Sequence, residues 1–161
     1  AIKDRPPEKA LPVLLGDVEQ VSQVVVGPLP ELVRSLMARH WPGPLTLVLP
    51  ARPGLPQNLT AGGATVAVRI PDHAFLQELA RRAGPLASSS ANRSGAPSCA
   101  TAQEVLVQLA GRVPLIVDGG PARLGQPSTV LDLTVDPPRV LRPGPISFTQ
   151  GGISCPRNDL I

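Results

Sequence analysis

Short apolar runs alternate with helix-like segments along this chain, and this alternation limits the folds that it can adopt. Apolar residues at helical spacing predict helices at 30–40, 72–84 and 101–111, and a weaker helix at 17–25. Between and after the helices, strand-like runs occur at 45–49, 65–70, 85–88, 114–118, 128–133 and 139–142. The pattern predicts an α/β fold whose sheet contains strands of both directions.

Two of the predicted helices carry residues that are typical of helix ends. Asp72 is a suitable N-cap for the helix at 72–84, and Gly84 is a suitable stop. Thr101 and Glu104 have the spacing of a capping box ahead of the third apolar stripe. We therefore expect both helices to begin and end close to these residues.

The composition is that of a folded protein with a mild preference for anions. Hydrophobic residues make up 42% of the chain, charged residues 17%, and the net charge is +3. Cys99 and Cys155 form no cluster, so neither a disulfide framework nor a zinc site is indicated. No apolar run reaches the ~20 residues that span a bilayer, and the first residues do not form a signal peptide. We expect a cytoplasmic protein, with a mitochondrial form as the alternative, and no membrane partner.

One loop is unusually rich in hydroxyl groups. The segment SSSANRSGAPS at 88–98, here called the serine loop, follows a predicted strand and precedes the capped helix. Loops at this kind of position bind ligands in many open α/β sheets, and a helix start favours anions. Serine, asparagine, glycine and proline are also the ordinary residues of turns, and no common phosphate-loop motif occurs. From this segment alone, a ligand loop and a plain turn both remain open.

Cations and hydroxyl groups also occur near other strand ends. An arginine inside an otherwise apolar strand, Arg69, needs a partner or a ligand. Solvated charges and simple caps are the alternative explanation. Taken together, the positions favour a nucleotide triphosphate as ligand; they are Lys3, Arg5, Lys9, Arg69, Ser128 and Arg142.

Seven blocks of sequence in order resemble the YrdC-like family of threonylcarbamoyl-adenylate synthases. They are KDRP (3–6), WPGPLTLVL (41–49), VAVRIPDH (66–73), SANRSGAPS (90–98), VDGG (117–120), PSTVLDL (127–133) and VLRPG (140–144). The resemblance implies a twisted, open, mixed α/β sheet with flanking helices and a concave basic groove. It also implies a YrdC-like domain at 1–147, N-terminally incomplete, with an irregular tail at 148–161.

The resemblance further implies an activity. The family condenses L-threonine, bicarbonate and ATP into threonylcarbamoyl-AMP and releases pyrophosphate. Partner proteins then pass the threonylcarbamoyl group to tRNA, next to the anticodon. Mg²⁺ is expected to arrive with ATP, and no protein ligand for a metal is apparent in the sequence.

Site residues are carried over position by position from the family. The implied catalytic residues are Lys3, Arg5, Ser90 and Asn92. The implied ATP-binding residues are Arg5, Lys9, Thr65, Ser90, Asn92, Ser98 and Arg142. The implied threonine-binding residues are Arg69, Ser88 and Ser128.

The sequence departs from the family pattern in two places. An upstream P-T-x-T-x-Y-G-L segment, which contributes to the threonine pocket, is not part of this sequence, and Leu14 stands where many members have histidine. We therefore expect the 161-residue chain to bind ATP but to form little threonylcarbamoyl-AMP.

Two other functions remain as alternatives. One is the related carbamoyl-adenylating domain of hydrogenase maturation, which uses carbamoyl phosphate in place of threonine carbamate. The other is a non-catalytic module that binds double-stranded RNA or tRNA through the same basic groove. The scarcity of aromatic residues, 2% of the chain, is unfavourable for binding single strands.

Overall fold

The fold is a mixed α/β sheet with its first three helices packed on one face. The structure is a computed structural model that describes residues 3, 6, 8–122, 127–149 and 152–154. Its strands are β1 (Val13–Leu14), β2 (Leu45–Pro50), β3 (Thr65–Arg69), β4 (Leu86–Ala87), β5 (Thr129–Asp132), β6 (Arg139–Arg142), β7 (Ser147–Thr149) and β8 (Gly152–Ser154). Its helices are α1 (Val21–Val24), α2 (Glu31–His40), α3 (Gln57–Thr60), α4 (Ala74–Ala83) and α5 (Ala102–Leu109).

Six strands form the main sheet, in the order β4-β1-β3-β2-β5-β6. Strand β2 is central: it pairs antiparallel with β3 and parallel with β5. β1 runs parallel to β3, and β4 and β6 are antiparallel to their neighbours. The expected mixture of strand directions is confirmed.

One face of the sheet lines the hydrophobic core. Leu45, Leu47 and Leu49 alternate along β2 and are at most 1% exposed, as the two-residue period of a strand predicts. They join Val66 and Val68 of β3 in a single apolar cluster. Apolar side chains of the first three helices cover this face; they are Val21, Val24, Val33, Leu36, Met37 and Leu59. The core therefore fixes which face of each strand is left for other contacts.

Most of the predicted helices and strands are confirmed, with one correction at a helix start. The side chain of Thr101 accepts a hydrogen bond from Glu104 N, so the predicted cap of α5 is present. Gly84 ends α4 with a φ of 87°, which favours glycine. Asp72 is not the N-cap of α4: His73 holds that position, and no side chain caps this end. The apolar stripe predicted the helix but could not fix its first residue.

The apolar run at 114–118 is not a strand, contrary to the prediction. It pairs with no strand in the described residues, and Leu115 and Val117 are 74% and 61% exposed. Conversely, β1 was not predicted, because two residues carry no periodicity. A strand depends on a partner as well as on its own composition, and local sequence does not identify the partner.

The segment predicted to be an irregular tail contains a hairpin. β7 and β8 pair antiparallel, with Phe148 opposite Ile153, and Phe148 also packs against the core. The prediction of irregular structure is therefore wrong at 148–149 and 152–154, because this pairing supplies the order that the short apolar pattern did not reveal. Residues 150, 151 and 155–161 lie outside the described part of the chain.

A membrane-spanning helix is absent from the described segments: none of their helices combines the length and the apolar character that crossing a bilayer requires.

Gly144 is expected to be important for stability because the backbone comes close to β5 at this residue. An added Cβ would lie 2.7 Å from Pro127 O and from Ser128 C, and neither backbone atom can move without disturbing β5. Gly144→Ala should lower the free energy of unfolding by about 1–3 kcal/mol. Urea denaturation measures the change.

Gly119→Ala is the matched control for this prediction. Among the described residues, a Cβ at Gly119 would meet only His73 Nε2, at the ordinary contact distance of 3.7 Å. Equal stability of the two variants would contradict the close approach at Gly144.

Candidate functional site

Two arginines lie on the sheet face opposite the core. Val48 of β2 pairs with Ala67, and continuing this register by two residues sets Thr46 opposite Arg69. On the other side, Thr46 pairs with Val130 of β5, which pairs in turn with Arg142 of β6. Paired residues of neighbouring strands point to the same face. Arg69, Thr46 and Arg142 therefore share one face, here called the site face.

Among the described residues, one nitrogen of the Arg69 guanidinium has a hydrogen-bond partner. Its Nε donates to the carbonyl oxygen of Gly43 at 2.8 Å. Within the described residues, neither Nη group of Arg69 has a hydrogen-bond partner. Burial and then the charge of Arg142 lower the pKa of Arg69, while Asp72 acts in the opposite direction. Arg69 thus presents two donor groups beside a second cation.

Arg142 is held by Ser128, the residue that precedes β5. Its Nε donates to Ser128 O and its Nη2 donates to Ser128 Oγ, both at 3.0 Å. The Ser128 hydroxyl also lies 2.8 Å from Thr46 Oγ1, and both hydroxyl-bearing residues are buried. Burial lowers the pKa of Arg142. Backbone and hydroxyl contacts therefore set the orientation of this guanidinium.

These contacts create a site for an anion. Two like charges near each other on a partly buried surface repel, and an anion between them would relieve the repulsion. Arginine also offers paired donors that match the two oxygens of a carboxylate or phosphate. Arg69 and Arg142 together therefore favour a carboxylate or phosphate ligand.

Lys3 forms a second polar cluster with the serine loop. Lys3 Nζ donates to the carbonyl oxygen of Ser90 and lies 3.2 Å from Ser89 Oγ. The loop in turn binds the backbone of this lysine, because Ser94 N donates to Lys3 O at 3.1 Å. The ammonium group therefore lies among the loop oxygens.

Asn92 braces the serine loop from within. Its Nδ2 donates to the carbonyl oxygens of Arg93 and Ala96, and the residue is 7% exposed. Its Oδ1 is buried and has no partner among the described residues. The amide nitrogen thus shapes the loop, and the oxygen is left as an acceptor for a donor group.

The remaining residues that the sequence predicts to bind substrates do not all lie beside Arg69 and Arg142. Thr65 is on the site face but at the far end of β3 from Arg69, about 13 Å away at strand spacing. Ser88 N donates to Pro12 O at 2.8 Å and so extends the β1–β4 ladder. Ser98 and Lys9 are exposed. Arg5 lies outside the described residues.

Leu14 lies beside Arg69. The two residues are paired in the β1–β3 ladder, and Leu14 also pairs with Leu86 of β4. A histidine at this position would offer a polar group next to Arg69, whereas leucine offers an apolar wall. The substitution therefore changes the chemistry at this edge of the arginine pair.

A cavity of about 360 Å³ lies away from the arginine pair, between α5 and the segment at 113–120. Ala91 of the serine loop and Cys99 contribute to its walls, together with Asp118. None of the predicted site residues lines it. Residues of α5 form part of its wall, and the sequence did not predict this cavity.

The described residues contain no cluster of three or more histidine, cysteine, aspartate or glutamate side chains that could hold a metal ion.

Two residues that help to build the site were not singled out from the sequence. Thr46 contacts Ser128 through its hydroxyl, and Gly43 supplies the carbonyl oxygen that holds Arg69. Thr46 carried a detectable signal, since it is the one polar residue in the apolar run LTLVL. Gly43 carried none, because a carbonyl contact leaves no mark on residue type.

Comparisons with known proteins show the family. A family model for Sua5, YciO and YrdC proteins, described as "Telomere recombination", matches residues 1–144. A threonylcarbamoyl-AMP synthase of Bacillus subtilis is 47% identical over 92% of this chain and 43% of its own length. A threonylcarbamoyl-AMP synthase of Pyrococcus abyssi is 45% identical over 92% of this chain and 44% of its own length.

A solved structure supports the fold independently. The crystal structure of P. abyssi Sua5 complexed with L-threonine superposes with a TM-score of 0.86 at 42% identity, covering 90% of this chain and 43% of that one. The present chain thus spans less than half the length of these relatives. Because the family model covers most of the sequence, the chain belongs to the Sua5/YciO/YrdC family.

Proposed function

We propose that this chain forms threonylcarbamoyl-AMP from L-threonine, bicarbonate and ATP, with release of pyrophosphate. The observation that carries the proposal is the pair Arg69 and Arg142 on one sheet face, each fixed by a backbone carbonyl oxygen. The names of the relatives give the same activity, and one relative was crystallised with L-threonine. L-Threonine, bicarbonate and ATP all carry oxygen atoms that such cations bind.

The reaction needs cations more than it needs a nucleophilic side chain. Threonine and bicarbonate give threonine carbamate and water. A carbamate oxygen then forms a bond to the α-phosphorus of ATP, and the bond from that phosphorus to the bridging oxygen breaks, so pyrophosphate leaves. Negative charge shifts between oxygens throughout, and fixed donors aimed at them lower the barrier.

Each cationic group has a distinct proposed task. Arg69, Ser88 and Ser128 hold the carboxylate and carbamate of the threonine derivative. Arg142 lies between this group and the phosphates. Lys3, which now contacts the oxygens of Ser89 and Ser90, exchanges them for phosphate oxygens of ATP, near Asn92 and Ser98. Thr65, Lys9 and Arg5 complete the proposed ATP contacts.

A magnesium ion would reach this site on the nucleotide. The described residues offer no carboxylate cluster for it, and Mg²⁺ commonly binds through phosphate oxygens and water. When bound, the ion would neutralise phosphate charge. The chain's own part is to hold the two substrates in line.

The product would be used outside this chain. We propose that partner proteins transfer the threonylcarbamoyl group to tRNA next to the anticodon, in the cytoplasm. The net charge of +3 is compatible with an RNA partner.

The first test measures pyrophosphate release by the protein. We expect slow release, in keeping with the small amount of product expected from the sequence, and this release should require ATP, L-threonine and bicarbonate together, because the carbamate supplies the attacking oxygen. Removing bicarbonate should abolish it. Release with carbamoyl phosphate in place of threonine and bicarbonate would instead support a carbamoyl-adenylating domain and contradict the proposal. Salt-sensitive tRNA binding without any nucleotide affinity would contradict it as well.

The second test removes one arginine. Arg69→Ala should weaken L-threonine binding by about tenfold or more, since a hydrogen bond to a charged group contributes about 1.5–3 kcal/mol. ATP binding should change much less, because Arg69 is assigned to threonine. Isothermal titration calorimetry with each ligand separates the two effects.

Arg39→Ala is the control of equal charge. Arg39 is an exposed residue in the last turn of α2, on the opposite side of the core from the site face. If it weakened threonine binding as strongly as Arg69→Ala, the effect would be one of net charge, and the assigned role of Arg69 would be wrong.

A further inference from the structure

Thr46 occupies the middle of the site face and is closed off from solvent. It lies between Arg69 and Arg142 in the row of paired residues, and it is 3% exposed. Within the described part of the chain its hydroxyl has one hydrogen-bond partner, Ser128 Oγ at 2.8 Å. Nothing in the reaction proposed above uses this residue.

The surroundings of the two hydroxyl groups favour one direction of this hydrogen bond, because only one of their two protons can lie between them. A hydroxyl group has one proton and two acceptor positions. If Ser128 donated to Thr46, the Thr46 proton would be buried without an acceptor among the described residues, which is costly. In the other direction the Ser128 proton lacks such an acceptor, but Ser128 Oγ contacts the exposed Arg142 guanidinium and so lies at the open side of the pair, where water or a ligand oxygen can accept that proton. Within the described segments Thr46 has no such contact, so Thr46 is the donor and Ser128 the acceptor.

Arg142 then completes the set of contacts around Ser128. Its Nη2 donates to Ser128 Oγ at 3.0 Å, so both acceptor positions of the serine oxygen are taken. The serine proton remains, and the nearby guanidinium groups of Arg69 and Arg142 cannot accept it because arginine has no acceptor. The serine hydroxyl is thereby left as a donor in need of an acceptor.

We propose that Thr46 is a positioning residue that fixes Ser128 as a hydrogen-bond donor toward a carboxylate oxygen of the ligand. This inference rests on the proposed function, in which that oxygen belongs to L-threonine or its carbamate. Ser128, Arg69 and Arg142 then present donors only, so the site accepts a carboxylate and rejects a group that must itself donate. Thr46 contributes to this selectivity without touching the ligand.

The test compares two substitutions at Thr46. Thr46→Val keeps the shape and removes the hydroxyl, and it should weaken L-threonine binding about fivefold, the effect of one neutral hydrogen bond. Thr46→Ser keeps the hydroxyl and should remain within about twofold of the wild type. Binding of L-threoninol, which lacks the carboxylate, should change little in either variant, so the preference for threonine over threoninol falls only in Thr46→Val.

Two controls separate positioning from a general structural effect. Thr60→Val removes a half-buried threonine hydroxyl of α3 that has no hydrogen-bond partner among the described residues, and it should leave both affinities unchanged. In a Ser128→Ala background, Thr46→Val should have no further effect on threonine binding, because it acts through Ser128. Additive effects of the two substitutions, or wild-type affinity in Thr46→Val, would overturn the inference.

A neutron structure of the deuterated protein tests the same point without a ligand. The Thr46 deuteron should lie on the line to Ser128 Oγ. A Ser128 deuteron on that line would overturn the inference. If the wild-type protein bound no threonine, the proposed function would fail, and the neutron map would still decide the direction of the hydrogen bond.

Discussion

The pairing of β2 with a strand on each side is the constraint on which the site depends. β3 approaches from one side and β5 from the other, and β6 extends the sheet beyond β5. Because the leucines of β2 are buried in the core, its other face is fixed as the site face. A register shift of one residue would turn Arg69 and Thr46 into the core, so the apolar packing also specifies the position of the charges.

The two arginines of the candidate site are held by backbone carbonyl oxygens rather than by acidic side chains. Arg69 donates to Gly43 O, and Arg142 donates to Ser128 O. An ion pair with a carboxylate would neutralise each arginine before a ligand arrived, whereas a carbonyl oxygen orients the guanidinium and leaves its charge available. The lowered pKa values of both arginines have burial as their first cause. A preorganised, unpaired cation of this kind is suited to binding anionic substrates.

The sequence predicted the helices and strands better than it predicted which strands pair with each other. Periodic apolar residues predicted α2, α4 and α5, and the cap at Thr101 is present. Residues 114–118 have the composition of a strand but pair with no neighbour in the part of the chain that the structure describes, whereas β1 is too short to show a period. The sequence also indicated the chemistry of Arg69, Arg142 and Ser128, residue by residue. Their proximity depends on the crossover that brings β5 beside β2, which no local pattern contains. The role of Thr46 in this row emerges only from the hydrogen bond with Ser128.

A crystal structure of the chain with L-threonine bound would test the central claim most directly. The threonine carboxylate should lie between Arg69 and Arg142, within hydrogen-bonding distance of Ser128 Oγ. The Arg69–Gly43 and Arg142–Ser128 contacts should remain in place. Threonine bound instead in the cavity beside α5, with both arginines unchanged and free of ligand, would contradict it.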